Sequence, residues 1–431
     1  VFYVIYSLLL VHTISSNQSP SLIDYLRNSL EISSGYSSAM SLVGKKYQLE
    51  LAISDFVFIF CLMFFIIKEG YLNLSFSLFF VFLLSFKHGF TRQDNHVEIF
   101  ATVVPLIASL LILKISRYRY QKIAFCFFVL ILTASFFMFP VVKDRAEKLM
   151  PYQVINNLAF LSDIKKLQLK LKQETINELA QVQLPNNVKR MVNGKPIDII
   201  PWEISLAPAN QLNWRPRPIF QSYSAYTTTL DNINFDSLSK ENRDYLFYQF
   251  LAIDGRHPFF DEPKTFFYIF CNYKPSAEIP GFVKTPKLSN IVLLEKSNEG
   301  RCSPTSVSEI SSIAWDSPHS VEASNNETII RANFKFQYSL VGKIYKTLFR
   351  APRVMMKIDY IDASEKTYRI IPENSENGVI VSHLPRDDNE ALSFLQGKLP
   401  TRVKSFSFHT NNSLLYTPHI EMSFSSDRLR H

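Results

Sequence analysis

Leu51-Ala52-Ile53-Ser54-Asp55-Phe56-Val57-Phe58-Ile59-Phe60-Cys61-Leu62-Met63-Phe64-Phe65-Ile66-Ile67 is the stretch that decides how this chain is read. It is apolar almost throughout, and three more such stretches follow at Leu72–Phe86, Val97–Lys114 and Ile123–Val142. Each approaches or reaches the length that a helix needs to cross a bilayer. The opening Val1–Val11 is apolar too, but too short to span, and reads as the tail of a truncated helix with further spans upstream. The expectation is a membrane all-α bundle, with four full spans plus the truncated N-terminal one, over residues 1–142. Beyond Val142 the apolar density falls to that of a globular chain.

The remainder divides by period. Leu161–Gln183 has helical spacing and predicts a helical stalk within 143–190. Short apolar runs at Pro196–Ile200, Tyr245–Phe250 and Asn290–Glu295 alternate with helical stretches such as Pro263–Tyr273. They predict an external α/β domain over 191–320. From Ile330 the period becomes two: Ile330, Ala332, Phe334, Phe336 and Tyr338 share one face, as do Val354, Met356, Ile358 and Tyr360, and Ile420, Met422 and Phe424. This predicts a C-terminal antiparallel β-sandwich over 321–431.

Composition narrows the chemistry. Gly is scarce at 11, and neither a dinucleotide-binding nor a phosphate-loop pattern occurs. No cofactor is expected. The net charge is +8, but the basic residues are dispersed without a compact basic-aromatic motif, so nucleic acid is not an expected partner. Lys114, Arg117, Arg119 and Lys122 fill the short loop around Ser116–Gln121, and positive residues in short loops prefer the cytoplasm. Counting spans from that loop puts Lys87–His96, and everything after Lys143, on the periplasmic or extracellular side of an inner membrane. In an oxidising compartment Cys271 and Cys302 are a disulfide candidate, with two buried thiols the alternative.

Three clusters carry candidate chemistry. The loop Lys87-His88-Gly89-Phe90-Thr91-Arg92-Gln93-Asp94-Asn95-His96 packs ionisable groups between two spans, with Glu98 just beyond and Asp55 near the start of its own span. Such groups at a membrane boundary are hydrated, paired or used. Asp94 and His96 are the candidate catalytic pair, Asp94 as a base. Lys87 and Arg92 would hold a lipid phosphate by charge-assisted hydrogen bonds. The spacing matches no metal-ligand signature, so no metal is expected. The second cluster runs from Trp214-Arg215-Pro216-Arg217-Pro218 to Tyr223 and Tyr226, with prolines fixing an extended backbone and aromatic faces suited to sugars. The third is Asp254-Gly255-Arg256-His257 at a strand end. For each cluster a purely structural role stands beside the binding role.

Pro201-Trp202-Glu203, Trp214–Pro218, Gln221–Thr227, Ile253–Arg256 and the Lys87–His96 loop together resemble a group of bacterial polytopic membrane proteins, cyanobacterial ones among them, that has no established activity. The overall plan is also loosely similar to membrane glycosyltransferases that use polyprenyl-phosphate sugars, a likeness of architecture alone. What the resemblance implies is an integral inner-membrane protein of envelope glycan or lipid-linked sugar metabolism. Its partners would be the lipid bilayer and a polyprenyl-phosphate or glycan ligand. The alternative is a non-enzymatic, membrane-anchored binding or scaffold protein with an external β-sandwich.

Overall fold

A computed structural model of the chain describes residues 22–115, 121–126, 128–129, 158, 163–322 and 327–430. Two compact units emerge. One comprises the described parts of Val1–Ala39, Asn177–Gly342 and Pro352–His431; the other comprises those of Met40–Ile176 and Lys343–Ala351. The helices used below are α1 (Leu22–Met40), α2 (Lys46–Lys68), α3 (Leu72–Thr91), α4 (Val97–Ile112), α5 (Ile164–Ala180), α6 (Thr228–Lys240), α7 (Pro263–Asn272) and α8 (Leu340–Leu348).

In the helical unit, α2, α3 and α4 pack on a core of Ile59, Leu62, Phe82, Phe90, Phe100 and Val104. Phe56 wedges between Phe82 and Phe86 at ring distances of 4.5 and 4.9 Å, in edge-on contacts that favour aromatic pairs. The outward residues are apolar as well: Val57, Phe60 and Phe64 on α2, and Phe76, Phe80 and Leu84 on α3. Only 39% and 28% of the apolar windows of α2 and α3 are buried, whereas the core helix of a globular protein is mostly buried. Both are long and apolar enough to cross a membrane.

The expected bundle of four full spans is corrected here, because only α2 and α3 meet that test among the described residues. The stretch Val97–Lys114 forms a helix of 16 residues, about 24 Å long and short of the ~30 Å hydrocarbon layer. Ile123–Val142 falls largely outside the described residues, as do Val1–Val11 and the basic loop from which sidedness was counted. Hydropathy had also clipped α2, which begins at Lys46 rather than Leu51. Asp55 therefore lies about 14 Å along the helix, buried on its inner face, and not at its end.

In the other unit the strands are β1 (Pro196–Ile200), β2 (Asn213–Trp214), β3 (Tyr245–Gln249), β4 (Tyr273–Pro275), β5 (Phe282–Val283), β6 (Ile291–Lys296), β7 (Cys302–Val307), β8 (Ser311–Ala314), β9 (His319–Ser320), β10 (Thr328–Lys335), β11 (Val354–Tyr360), β12 (Glu365–Ile370), β13 (Val379–Ile380), β14 (Val403–Thr410) and β15 (His419–Leu429). The first six form one mixed sheet in the order β2-β1-β3-β6-β4, with β5 also on β6. Its parallel half, β2-β1-β3, is why Tyr245-Leu246-Phe247-Tyr248 is unbroken by polar residues: both faces are covered. Tyr245 and Phe247 join the core of Val188, Val192 and Ile197, while Leu246 and Tyr248 face Phe266 and Ile269 of α7.

Two antiparallel sheets, β13-β10-β15-β7 with β8 on β15, and β12-β11-β14-β9, pack face to face as a sandwich. Phe334 of β10 meets Phe408 and Phe406 of β14 at 4.8 and 5.4 Å. The sandwich core runs without interruption into the α7 layer, where Phe270 stacks on Phe394 at 4.3 Å. A disulfide joins Cys271, near the end of α7, to Cys302 at the start of β7.

His257 sits wholly inside this core, and its partners fix its tautomer. Its Nε2–H donates to the Pro385 carbonyl at 2.9 Å, and its Nδ1 accepts from the Phe259 amide at 3.1 Å. A second proton has no acceptor, and burial pushes the imidazole from 6.5 down to about 4. The folded state thus binds fewer protons than the unfolded one in this window. The stability from neutral His257 is full above about pH 6.5 and is lost as pH falls toward about 4, by roughly 3 kcal/mol in total. Thermal unfolding of purified His257→Gln in detergent should lose one proton's worth of that acid slope relative to the parent; an unchanged slope refutes the assignment.

Candidate functional site

The turn between α3 and α4 brings together the ionisable residues singled out there. Asp94 Oδ2 accepts from Arg92 Nε at 2.7 Å. Its Oδ1 lies 2.5 Å from His96 Nδ1 and 3.2 Å from the His96 amide. The His88 ring is 5.6 Å from that of His96, edge to face. The spacing of two residues between Arg92, Asp94 and His96 suits a tight turn closed by the Asp94 side chain.

The turn is braced from behind. Leu42 bridges the two sides of Arg92, its amide donating to the Thr91 carbonyl at 3.1 Å and its carbonyl accepting from the Gln93 amide at 3.2 Å. Arg350 Nη1 donates to the Leu42 carbonyl at 2.7 Å and to Gln93 Oε1 at 3.0 Å. Gly44 is required at this point, since a Cβ there would lie 2.3 Å from the Gln93 carbonyl oxygen. Lys87 is tied as well, through its ammonium, to the Thr347 carbonyl.

The electrostatics sort the roles. Burial alone would raise the Asp94 carboxyl, but the side-chain and backbone hydrogen bonds from His96, with the charge of Arg92, outweigh it and hold it below the usual carboxylate range. An ionised carboxylate only accepts, so His96 Nδ1 must carry the proton it shares with Asp94. His96 Nε2 then remains as the basic nitrogen of a part-exposed imidazole. Among these residues it is the atom best placed to take or give a proton, while Asp94 orients it.

The residues singled out in the other unit are mostly built into its frame. Arg217 is fully buried. It donates to Asp198 Oδ2 at 2.8 Å, Ser222 Oγ at 3.3 Å and Glu262 Oε1 at 3.4 Å, and Asn234 holds the other oxygen of Glu262 at 2.8 Å. Arg256 is equally buried, bonded to Asp261 Oδ1 at 2.9 Å, the Tyr223 carbonyl at 3.1 Å and the Ala39 carbonyl. Tyr226 is buried edge-on against Tyr36, and Tyr223 packs against Trp202. Asp254 has a left-handed backbone at φ 56° and lies 4.0 Å from Arg369. Arg215 alone of this group is a solvent-exposed cation; its carbonyl accepts from Arg243.

Sequence reasoning missed Arg369, whose Nη2 takes the Ser38 carbonyl at 2.5 Å. Together with Arg256 it grips the last carbonyls of α1, where a helix leaves acceptors unsatisfied and concentrates negative charge. Glu373 adds to the grip by accepting from Ser38 and Tyr338 at 2.5 and 3.0 Å. No local motif signals this, because each partner is hundreds of positions away in the chain. Asp94 and His96 belong to the helical unit, whereas Arg215, Arg217, Tyr223, Tyr226, Asp254 and Arg256 belong to the other.

Arg217→Ala strands Asp198 and Glu262 in the interior and should destabilise its unit by about 3–5 kcal/mol. Arg215→Ala should change stability by less than about 0.5 kcal/mol. Thermal unfolding of the two variants side by side decides the point, and equal losses would contradict the burial pattern. Compared with known proteins, the chain matches no family model, no curated protein and no solved structure.

Proposed function

We propose that this protein acts at a membrane surface on a lipid-linked phosphate substrate, with His96 as its acid–base residue. The observation that carries this is the Arg92–Asp94–His96 turn: an imidazole oriented by an ionised carboxylate, at the end of a helix long and apolar enough to cross a bilayer. In a sugar transfer from a polyprenyl phosphate, His96 Nε2 would take the proton of the acceptor hydroxyl. The acceptor oxygen then bonds to the anomeric carbon as the bond from that carbon to the phosphate oxygen breaks, and polyprenyl phosphate leaves. Lys87 and His88, in the last turns of α3, supply donors for the phosphate. Asp94 is assigned to orientation rather than proton transfer, since both of its oxygens are engaged.

The setting we infer is the periplasmic or extracellular face of a bacterial inner membrane, in envelope glycan or lipid-linked sugar metabolism. The Cys271–Cys302 disulfide supports an oxidising compartment for the sandwich.

A second reading, a membrane-anchored glycan-binding protein, rests on one feature of the sandwich. A cleft of about 450 Å³ opens beside β7 and β15, and Ser306, Ser308, Ser320 and Ser425 line it with hydroxyls. His319, stacked on Phe424 at 5.2 Å, offers a flat face there.

The test is release of polyprenyl phosphate from a labelled polyprenyl-phosphoglucose by the full chain in lipid nanodiscs, with an envelope polysaccharide supplied as the acceptor. His96→Asn should slow release by about 100-fold or more with substrate binding retained, as loss of a general acid–base group does. Arg215→Ala should leave the rate unchanged. If the parent protein neither binds nor cleaves the lipid, while Phe424→Ala abolishes retention on an envelope polysaccharide, the enzyme reading is wrong and the binding reading takes its place.

A further inference from the structure

Helix α8 turns its apolar side outward. At about 100° per residue, Leu340, Val341, Ile344, Tyr345 and Leu348 fall within an arc of about 140°, and all five are exposed, Leu340 at 77%. A helix of a globular protein turns such a stripe toward its core. Here the inward position is Gly342, packed so tightly that a Cβ would lie 1.8 Å from the Leu415 carbonyl oxygen. The neighbouring Leu414, 82% exposed, extends the apolar surface beyond the helix itself. Its carbonyl accepts from Ser339 at 2.8 Å, which fixes it beside the start of α8. Lys343 and Lys346 fall about 130° and 170° from the centre of the stripe, on the opposite side of the helix, and Arg350 follows.

We propose that α8, with Leu414, is an in-plane membrane helix that seats its apolar stripe in the headgroup–acyl boundary of an anionic bilayer. Two observations on the page choose lipid over protein as the occupant. The first is charge: a helix with an exposed apolar stripe on one side and lysines on the other has the amphipathic, basic character that binds anionic headgroups. The second is attachment. Within the helical unit, the last turn of α8 and the residue after it are fastened to the C-terminal end of α3, one of the two helices long and apolar enough to cross a membrane. The Lys87 ammonium bonds the Thr347 carbonyl. Thr91 Oγ1 donates to the Phe349 carbonyl at 3.3 Å, and the rings of Phe86 and Phe349 stack at 5.7 Å. The end of a crossing helix marks the membrane–water boundary, so α8 leaves from that level.

The experiment uses the full chain in proteoliposomes of phosphatidylcholine with or without phosphatidylglycerol. The free Cys61 and Cys126 are replaced by Ala, the disulfide is kept, and a polarity-sensitive fluorophore is placed at Ile344→Cys, Leu414→Cys or Lys343→Cys. Labels at 344 and 414 should be quenched by lipids doxyl-labelled near the headgroup and protected severalfold from aqueous iodide, relative to 343. Quenching should deepen with phosphatidylglycerol, and Lys343→Gln/Lys346→Gln, probed at 344, should remove that dependence. Iodide access equal at all three sites overturns the proposal. So does protection from iodide without doxyl quenching, which would mean that protein covers the stripe. A matched unfolding temperature for each labelled variant excludes misfolding as the cause of either result.

Discussion

The β-rich unit depends on the pairing of the buried Arg217 guanidinium, whose two Nη atoms are matched while its Nε has no hydrogen-bond partner among the described residues. Asp198 comes from β1, Ser222 from the loop after the two prolines, and Glu262 from the residue before α7. Asn234 of α6 closes the ring by bonding Glu262 and both backbone groups of Ile219. Burying such charges costs several kcal/mol per ion, which only near-complete pairing offsets. Four segments distant in sequence are therefore held in one geometry, and the α7 layer that links the mixed sheet to the sandwich is set by it. Arg243 reinforces the same loop by donating to the Arg215 and Pro216 carbonyls at 2.7 and 3.2 Å.

That network also explains where sequence reasoning stopped. Arg215 and Arg217 sit in one Arg-Pro-Arg-Pro motif and look alike, yet one is exposed and the other buried. The difference lies in Asp198 and Glu262, whose proximity is a product of the fold. By contrast, Asp94 and His96 could be grouped from the sequence, because residues two apart in a short turn come close, but that reading sets Arg92 aside for a phosphate and does not pair it with Asp94. The strands at Pro196–Ile200, Val354–Tyr360 and Ile420–Phe424 were legible for a related reason: period and turn residues are local signals. Span counting failed where it treated apolar length as helix length. It misplaced Asp55 relative to the start of α2 and credited α4 with residues beyond its 16. The stripe on α8 was overlooked because, in a short segment between two strands, its spacing of four reads as an ordinary inward-facing helix until burial is known.

Arginines that bind backbone carbonyls serve different ends in the two units. In the β-rich unit Arg256 and Arg369 are consumed in capping the end of α1, which leaves that region rigid and without exposed charge. In the helical unit Arg350 performs a comparable service for the Leu42–Gln93 bridge. Its effect there is to stiffen a turn whose side chains stay part-exposed. A frame that spends backbone hydrogen bonds and an arginine on fixing one turn holds Asp94 against His96 without help from a ligand, which is the preorganisation that proton transfer requires.

The end of α3 is where these threads meet. Within the helical unit, Lys87 and Thr91 bind the last turn of α8 and the residue after it, while Arg92, Asp94 and His96 begin just beyond. If α8 lies in the plane of the headgroups, the imidazole of His96 sits within the same few residues of chain, and so at the depth where a lipid phosphate resides. A water-soluble substrate would not need an acid–base residue at that depth. A substrate with its phosphate fixed at the interface and its tail in the acyl layer would meet it in one plane, so its encounter with the site would be lateral rather than three-dimensional. The physical demand on the protein is then depth control rather than a deep pocket. A basic, apolar-faced helix fastened to the same turn is a direct way to supply it.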